Sequence, residues 1–159
     1  MNILFVCTGN TCRSPMAEKI LQKKAKEYSL DINILSAGIA AIEGQAVSES
    51  AGVIINEYGQ DTKHSSKRSS KQLLEWADVT ITMTRDHKHV LLSQAPHLHN
   101  KIFTLKELVS TNYNSSDIFE PLLDIDDPFA KDLETYRRVA QEIDDALEVL
   151  IKSNFFKKK

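Results

Sequence analysis

Met1-Asn2-Ile3-Leu4-Phe5-Val6 runs straight into Cys7-Thr8-Gly9-Asn10-Thr11-Cys12-Arg13-Ser14 and then into Pro15-Met16-Ala17-Glu18-Lys19-Ile20-Leu21. The first six residues have the length and apolar content of a buried strand, and Pro15 with the apolar spacing after it reads as the opening of a helix. A strand that feeds a helix through a short loop is the first half of a βα unit, so this stretch points to an α/β fold. The loop itself carries chemistry. Its backbone N–H groups and the positive end of the following helix converge on one point, an anion site suited to phosphate. The same field favours a thiolate over a thiol at Cys7. Arg13 adds a planar guanidinium that can hold two phosphate oxygens at once. Thr8, Gly9, Asn10, Thr11 and Cys12 complete this Cys-x5-Arg loop and, with Ser14 just after it, are the expected contacts of the bound substrate.

A cysteine at the end of an apolar strand is, alone, most often a small core residue. The glycine, the asparagine, the arginine at its offset and the Ser-Pro helix opening all fit one different task and outweigh that reading. Zinc fits poorly, because Cys7 and Cys12 lack the short Cys-x-x-Cys spacing and no second cysteine pair exists to complete four ligands.

Alternating strands and helices continue the pattern without a linker or repeat. After a first helix from Pro15 to about Ser29, Ile32–Ser36 reads as a second strand ended by Ala37-Gly38. Helical patterns follow over Ala46–Tyr58 and Lys71–Ala77, with Gly59 as the stop of the former. The strand Val79–Met83, a helix Asp86–Gln94, the strand Lys101–Leu105 and a long amphipathic helix Leu133–Lys152 complete the series. In the last, Val139, Ile143, Leu147 and Leu150 recur at helical spacing. The expected architecture is α/β: a single three-layer domain over residues 1–159, with a four-stranded parallel sheet and helices on both faces. Ligands of such sheets bind at the carboxyl ends of the strands, which is where Cys7 falls. Residues 153–159 read as a frayed basic tail.

The 159 residues suffice for one core, and 42% hydrophobic with 26% charged residues is ordinary globular composition. A net charge of −2 leaves no global footprint for nucleic acid, so attraction for phosphate must be local. No apolar stretch approaches about 18 residues, and the N-terminal apolar run is too short and lacks a basic leader for a signal peptide. No membrane association is expected, and the cytoplasm is the expected compartment. There, two cysteines do not form a structural disulfide, though Cys7 and Cys12 share a loop small enough for a reversible bond under oxidation. His87-x-His89 and His97-x-His99 suggest a metal only if they lay on strands. His87 and His89 fall in a helical pattern, where the pair does not share a face, so they read as solvated and no metal or other cofactor is expected.

A nucleophile and an anion clamp leave the departing group without a proton. Asp127, in Asp126-Asp127-Pro128-Phe129, is the best candidate donor: proline stiffens the turn, and Phe129 can shield the carboxyl and line the mouth. Asp124 and Asp126 compete for the role.

Val6 to Glu18 together with Asp127-Pro128-Phe129 resembles the low-molecular-weight protein tyrosine phosphatase family, and the resemblance spans essentially the whole chain. It implies a flavodoxin-like phosphatase fold that needs no metal. Carried onto matching positions, it makes Cys7 the nucleophile, Arg13 the phosphate clamp, Ser14 a hydrogen-bond donor to the thiolate and Asp127 the general acid. Asn10 matches the position that shapes the loop, with Ser36 and His64 as its supports. Phosphorylated proteins are then the substrates and inorganic phosphate the product, and a monomer is expected.

Thr11, in the middle of the loop, faces the group that carries the phosphate. Members of this family that resemble tyrosine phosphatases have a bulkier aliphatic residue there, whereas those resembling protein arginine phosphatases have threonine. A smaller, partly polar wall suits a planar guanidinium, and Asp127 can protonate its leaving nitrogen. Phe129 and the lack of a tandem tyrosine pair after Pro128 agree. The expected function is therefore a cysteine-dependent phosphatase for phosphoarginine in proteins, with phosphotyrosine as the alternative. An arsenate reductase would need further cysteines near residues 80 to 90, and none occurs there. A non-catalytic phosphate-binding module would need neither thiol nor acid. Two departures from the family stand out: Ser110–Asp126 reads as a longer, Asn/Ser/Asp-rich loop, and Ala130 replaces a glycine.

Overall fold

The residues described in this computed structural model are 1–113 and 123–157. Strand β1 (Asn2–Cys7) lies inside the sheet because its side chains are apolar on both faces. Ile3 and Phe5 join one core, built with Met16, Ile20 and Leu21, while Leu4 and Val6 join another with Leu74, Leu91 and Leu98. Full burial of side chains of this size stabilises by about 1.5–3 kcal/mol each. On either side run β2 (Asn33–Gly38) and β3 (Val79–Thr82), and β4 (Ile102–Thr104) pairs with β3, so the order is β2-β1-β3-β4, all parallel. Helices α1 (Arg13–Glu27), α2 (Glu49–Glu57), α5 (Leu105–Tyr113) and α6 (Leu133–Lys152) supply the first core, and α3 (Lys71–Trp76) and α4 (Arg85–Gln94) the second. The three-layer parallel architecture expected from the alternating pattern is present.

Helix caps and proline account for several differences at the boundaries. α1 begins at Arg13, two residues before the expected Pro15, since proline is tolerated within the first turn. α2 begins at Glu49 rather than Ala46 because Ser48 accepts from Ala51 N–H at 3.3 Å and ends the preceding loop. Helix α5 was not expected. It takes Leu105 from the fourth strand and Ser110–Tyr113 from the expected long loop; of that loop, residues 114–122 lie outside the described residues. Its start is a reciprocal cap: Thr104 Oγ1 accepts from Glu107 N at 3.0 Å, and Glu107 Oε2 accepts from Thr104 N at 3.1 Å.

The long helix α6 is capped by Asp132, which accepts from Thr135 N at 2.9 Å. It buries Tyr136, Val139, Ile143, Leu147 and Leu150 along one face. Lys24 of α1 bridges its Asp144 and Glu148, each at 2.7 Å. Of the tail expected to fray, residues 158–159 lie outside the described residues, and residues 153–157 are not frayed. Phe156 is only 3% exposed and stacks edge-to-face on Phe155 at 5.1 Å between ring centres, so residues 153–157 fold back on the core and the apolar pair outweighs the basic tail. Among the described residues no helix is long and apolar enough to cross a membrane.

Candidate active site

Strand β1 ends on Cys7, and the chain turns through Thr8–Cys12 before α1 starts at Arg13. No side chain caps α1. Among the described residues no acceptor takes the backbone N–H groups of Gly9 to Arg13, which leaves the donors of the loop for an anion. The loop bends at Asn10, whose φ of 55° is left-handed, not at Gly9. Asparagine tolerates that region because its short amide bonds locally.

The Asn10 amide organises the back of the loop. Its Nδ2 donates to Ser14 Oγ and to Ser36 Oγ, both at 2.9 Å, and its Oδ1 accepts from Lys67 N at 3.0 Å. Its carbonyl lies 2.6 Å from His64 Nε2. A carbonyl can only accept, so this ring nitrogen carries the proton. Ser36 in turn donates to Glu18. Ser14 Oγ sits 2.9 Å from Cys7 Sγ and 3.3 Å from the Ala37 carbonyl. The Ser14 hydroxyl has one proton to give, to the Ala37 carbonyl or to the nearer sulfur, and a thiolate at Cys7 can only accept it.

Gly38, at the end of β2, lies beneath the loop. A Cβ there would stand 2.5 Å from the Thr8 carbonyl oxygen and 2.8 Å from Asn10 N. Only glycine lets the two backbones approach this closely.

A cavity of about 250 Å³ opens above the loop. Cys7 and Arg13 form its base; Thr8, Gly9, Thr11 and Cys12 wall it; Asp127 and Phe129 stand at its mouth. Arg13 is 4% exposed, donates through Nη1 to the Ile125 carbonyl at 2.9 Å and places Nη2 3.5 Å from Asp127 Oδ2. The Asp127 carboxylate also accepts from Phe129 N at 3.1 Å. Of its competitors, Asp124 is turned away and accepts from Arg85 N at 2.8 Å, while Asp126 does not reach the cavity. Asn10 and Ser14, expected among the substrate contacts, do not line the cavity; both are fully buried behind the loop. Ser36 and His64 both contact Asn10, through its amide nitrogen and its carbonyl respectively. A larger groove of about 720 Å³ beside β2 is lined by residues such as Gln22, Ile34 and Trp76 and holds no cysteine, serine or histidine.

His87 was expected to be solvated and is not. It is 4% exposed, with Nε2 2.8 Å from Thr8 Oγ1. The signal for burial was present in the helical pattern itself: His87 and Leu91 are four apart, share a face of α4 and are its two buried residues. Burial, and next the positive charge of Arg13, push its pKa down to about 4, so its imidazole is neutral near pH 7. Both cysteines are free thiols, and Cys12 Sγ rests against Ser48 Oγ at 3.2 Å and Tyr136 OH at 3.4 Å. Among the described residues no group of three or more His, Cys, Asp or Glu side chains is placed to hold a metal ion.

Fold and site together define a class: parallel α/β domains that carry a Cys-x5-Arg anion loop directly after the first strand. Within it, the chain belongs to the low-molecular-weight protein tyrosine phosphatase family, whose model, described as low molecular weight phosphotyrosine protein phosphatase, matches residues 2–159. A protein-arginine-phosphatase of Bacillus subtilis (strain 168) is 35% identical over 152 residues, which cover 96% of this chain and 95% of the relative. A low molecular weight protein-tyrosine-phosphatase PtpB of Staphylococcus epidermidis is also 35% identical, covering 93% of this chain and 95% of that one. The solved structure of a YwlE arginine phosphatase variant with a phosphorylated active-site serine superposes with a TM-score of 0.88 at 34% identity, covering 99% of this chain and 98% of the other.

Proposed function

We propose that this protein is a cysteine-dependent protein phosphatase that hydrolyses phosphoarginine in protein substrates. The observation that carries the reading is the convergence on one cavity of Cys7, the Arg13 guanidinium and Asp127, with Thr11 in the wall. The Cys7 thiolate, stabilised by the Ser14 hydroxyl, attacks phosphorus, and a sulfur–phosphorus bond forms as the phosphorus–nitrogen bond of phosphoarginine breaks. Arg13 and the loop N–H groups hold the equatorial oxygens, and their donors strengthen as charge shifts onto the oxygens. Asp127 gives its proton to the departing guanidine nitrogen. Its carboxylate then takes a proton from water, which attacks phosphorus, expels the thiolate and releases inorganic phosphate. The arginine phosphatase variant with a phosphorylated active-site serine supports a covalent phosphoryl intermediate.

Before substrate arrives, Arg13 pairs with the carboxylate of Asp127 at 3.5 Å. A bound phosphoryl dianion competes for that guanidinium and adds negative charge beside the carboxyl, which favours its protonated, donor form. No step calls on a metal or cofactor. The expected monomer, acting in the cytoplasm on phosphorylated proteins, belongs to the same reading.

Phosphotyrosine is the second reading, favoured by the PtpB relatives at the same identity as the arginine phosphatase. Rates on phosphoarginine and phosphotyrosine peptides, compared for wild type and Thr11→Ile, separate the two. Wild type should prefer phosphoarginine and Thr11→Ile should shift toward phosphotyrosine; an unchanged preference removes Thr11 as the selectivity filter. Cys7→Ser should abolish turnover, and Asp127→Ala should slow it by about 10²–10⁴-fold. A fully active Cys7→Ser protein would sink the mechanism.

A further inference from the structure

Thr8 follows the nucleophile directly and lines the cavity, and its carbonyl accepts from Ala40 N at 2.9 Å. Among the described residues its hydroxyl meets one protein group, the Nε2 of His87 at 2.8 Å. The other nitrogen of that ring, Nδ1, is buried and finds no partner among the described residues. Thr84, the cap of α4, accepts from His87 N at 3.1 Å and holds the residue in the first turn of the helix. The ring is neutral, since burial and Arg13 outweigh the opposing pull of Asp127, Asp86 and Asp124. A neutral imidazole has one N–H to place. On Nδ1 it would be a buried donor with nothing to donate to, the rarer and costlier kind of orphan. On Nε2 it bonds Thr8, leaving only an acceptor lone pair unmet at Nδ1.

Resting on the phosphatase reading, we infer that His87 is a positioning residue: its Nε2–H donates to Thr8 Oγ1 and so turns the Thr8 hydroxyl proton into the cavity as a donor to the phosphoryl group. A threonine hydroxyl has one proton and two lone pairs. With His87 donating to one lone pair, the proton cannot point back at the ring. The side chain becomes an oriented donor beside Cys7, added to the loop N–H groups and the Arg13 guanidinium. The helix end that carries His87 thereby acts on the substrate through the loop.

Inorganic phosphate is the probe, because it carries no leaving group and reads the cradle alone. Its inhibition constant should weaken about tenfold in His87→Phe, the size of one hydrogen bond to a charged group. His87→Gln, whose amide can reach Thr8 with an N–H, should stay within about threefold of wild type. Thr8→Val should match His87→Phe, and the double variant should lose nothing more. Additive losses, or equal losses in His87→Gln and His87→Phe, overturn the inference. Nitrogen-proton correlation of the histidine rings tests it in the wild type without any variant: His87 should be the Nε2–H tautomer, and an Nδ1–H tautomer overturns it. Wild type that turns over neither phosphopeptide and is not bound by phosphate would instead overturn the phosphatase reading, and this inference with it.

Discussion

At the scale of single residues, the site depends on polar side chains that each satisfy several partners. Asn10 uses both amide protons, its amide oxygen and its carbonyl. It holds the left-handed bend of the loop, although a glycine stands next to it. Ala130 is the opposite case. The turn Pro128–Lys131 closes with Lys131 N on the Pro128 carbonyl at 3.0 Å, and Ala130 has a φ of 58°. An alanine there costs about 1–2 kcal/mol relative to glycine. Ala130→Gly is expected to raise stability by about 0.5–1 kcal/mol, part of the relief being offset by the entropy of a glycine in the unfolded chain. Urea midpoints of the two proteins check it; a drop would mean that the left-handed turn carries no strain. The strand-loop-helix unit that carries Cys7 and Arg13 was legible from local sequence, whereas Asp127 stood there beside two competitors, Asp124 and Asp126. The burial of His87 was visible only as a helical spacing, and its contact with Thr8 was not, because the two are 79 residues apart.

At the scale of elements, the loop is held between β1, β2 and α1, and Gly38 sets the distance. With an added Cβ only 2.5 Å from the Thr8 carbonyl oxygen, Gly38→Ala has to displace the loop backbone rather than a flexible side chain. The variant should retain its far-ultraviolet dichroism and lose about 10²-fold in kcat/KM, the cost of misplacing reacting groups by about 1 Å. A Gly38→Ala protein with undiminished kcat/KM would show that the loop tolerates the shift. Helix α5 illustrates what spacing alone can hide. Thr104-Leu105-Lys106-Glu107 is a capping-box sequence, but the apolar run before it reads equally well as a strand that continues through Leu105. The cap decides the boundary once Thr104 and Glu107 bond each other.

At the scale of the whole molecule, burying a neutral histidine links stability to pH. Between about pH 6.5 and pH 4 the unfolded chain binds a proton at this residue that the folded chain refuses, so stability falls as pH falls through that window. The full contribution is about 3 kcal/mol. Wild type and His87→Gln should therefore diverge in urea midpoint between pH 7 and pH 4.5, with wild type the more acid-sensitive. Parallel slopes would show that the folded chain takes up this proton as readily as the unfolded one. By itself the sequence determined the α/β class, the strand-loop-helix unit and the chemistry of its loop, because strand and helix periodicity and the loop spacing are local properties. Only the tertiary structure decided which aspartate faces Arg13, that Gly38 sits beneath the loop, that the C-terminal residues 153–157 pack down, and that a buried histidine of α4 stands behind Thr8. Those depend on contacts between distant segments, which the parallel order of the sheet and the packing of its two cores bring together.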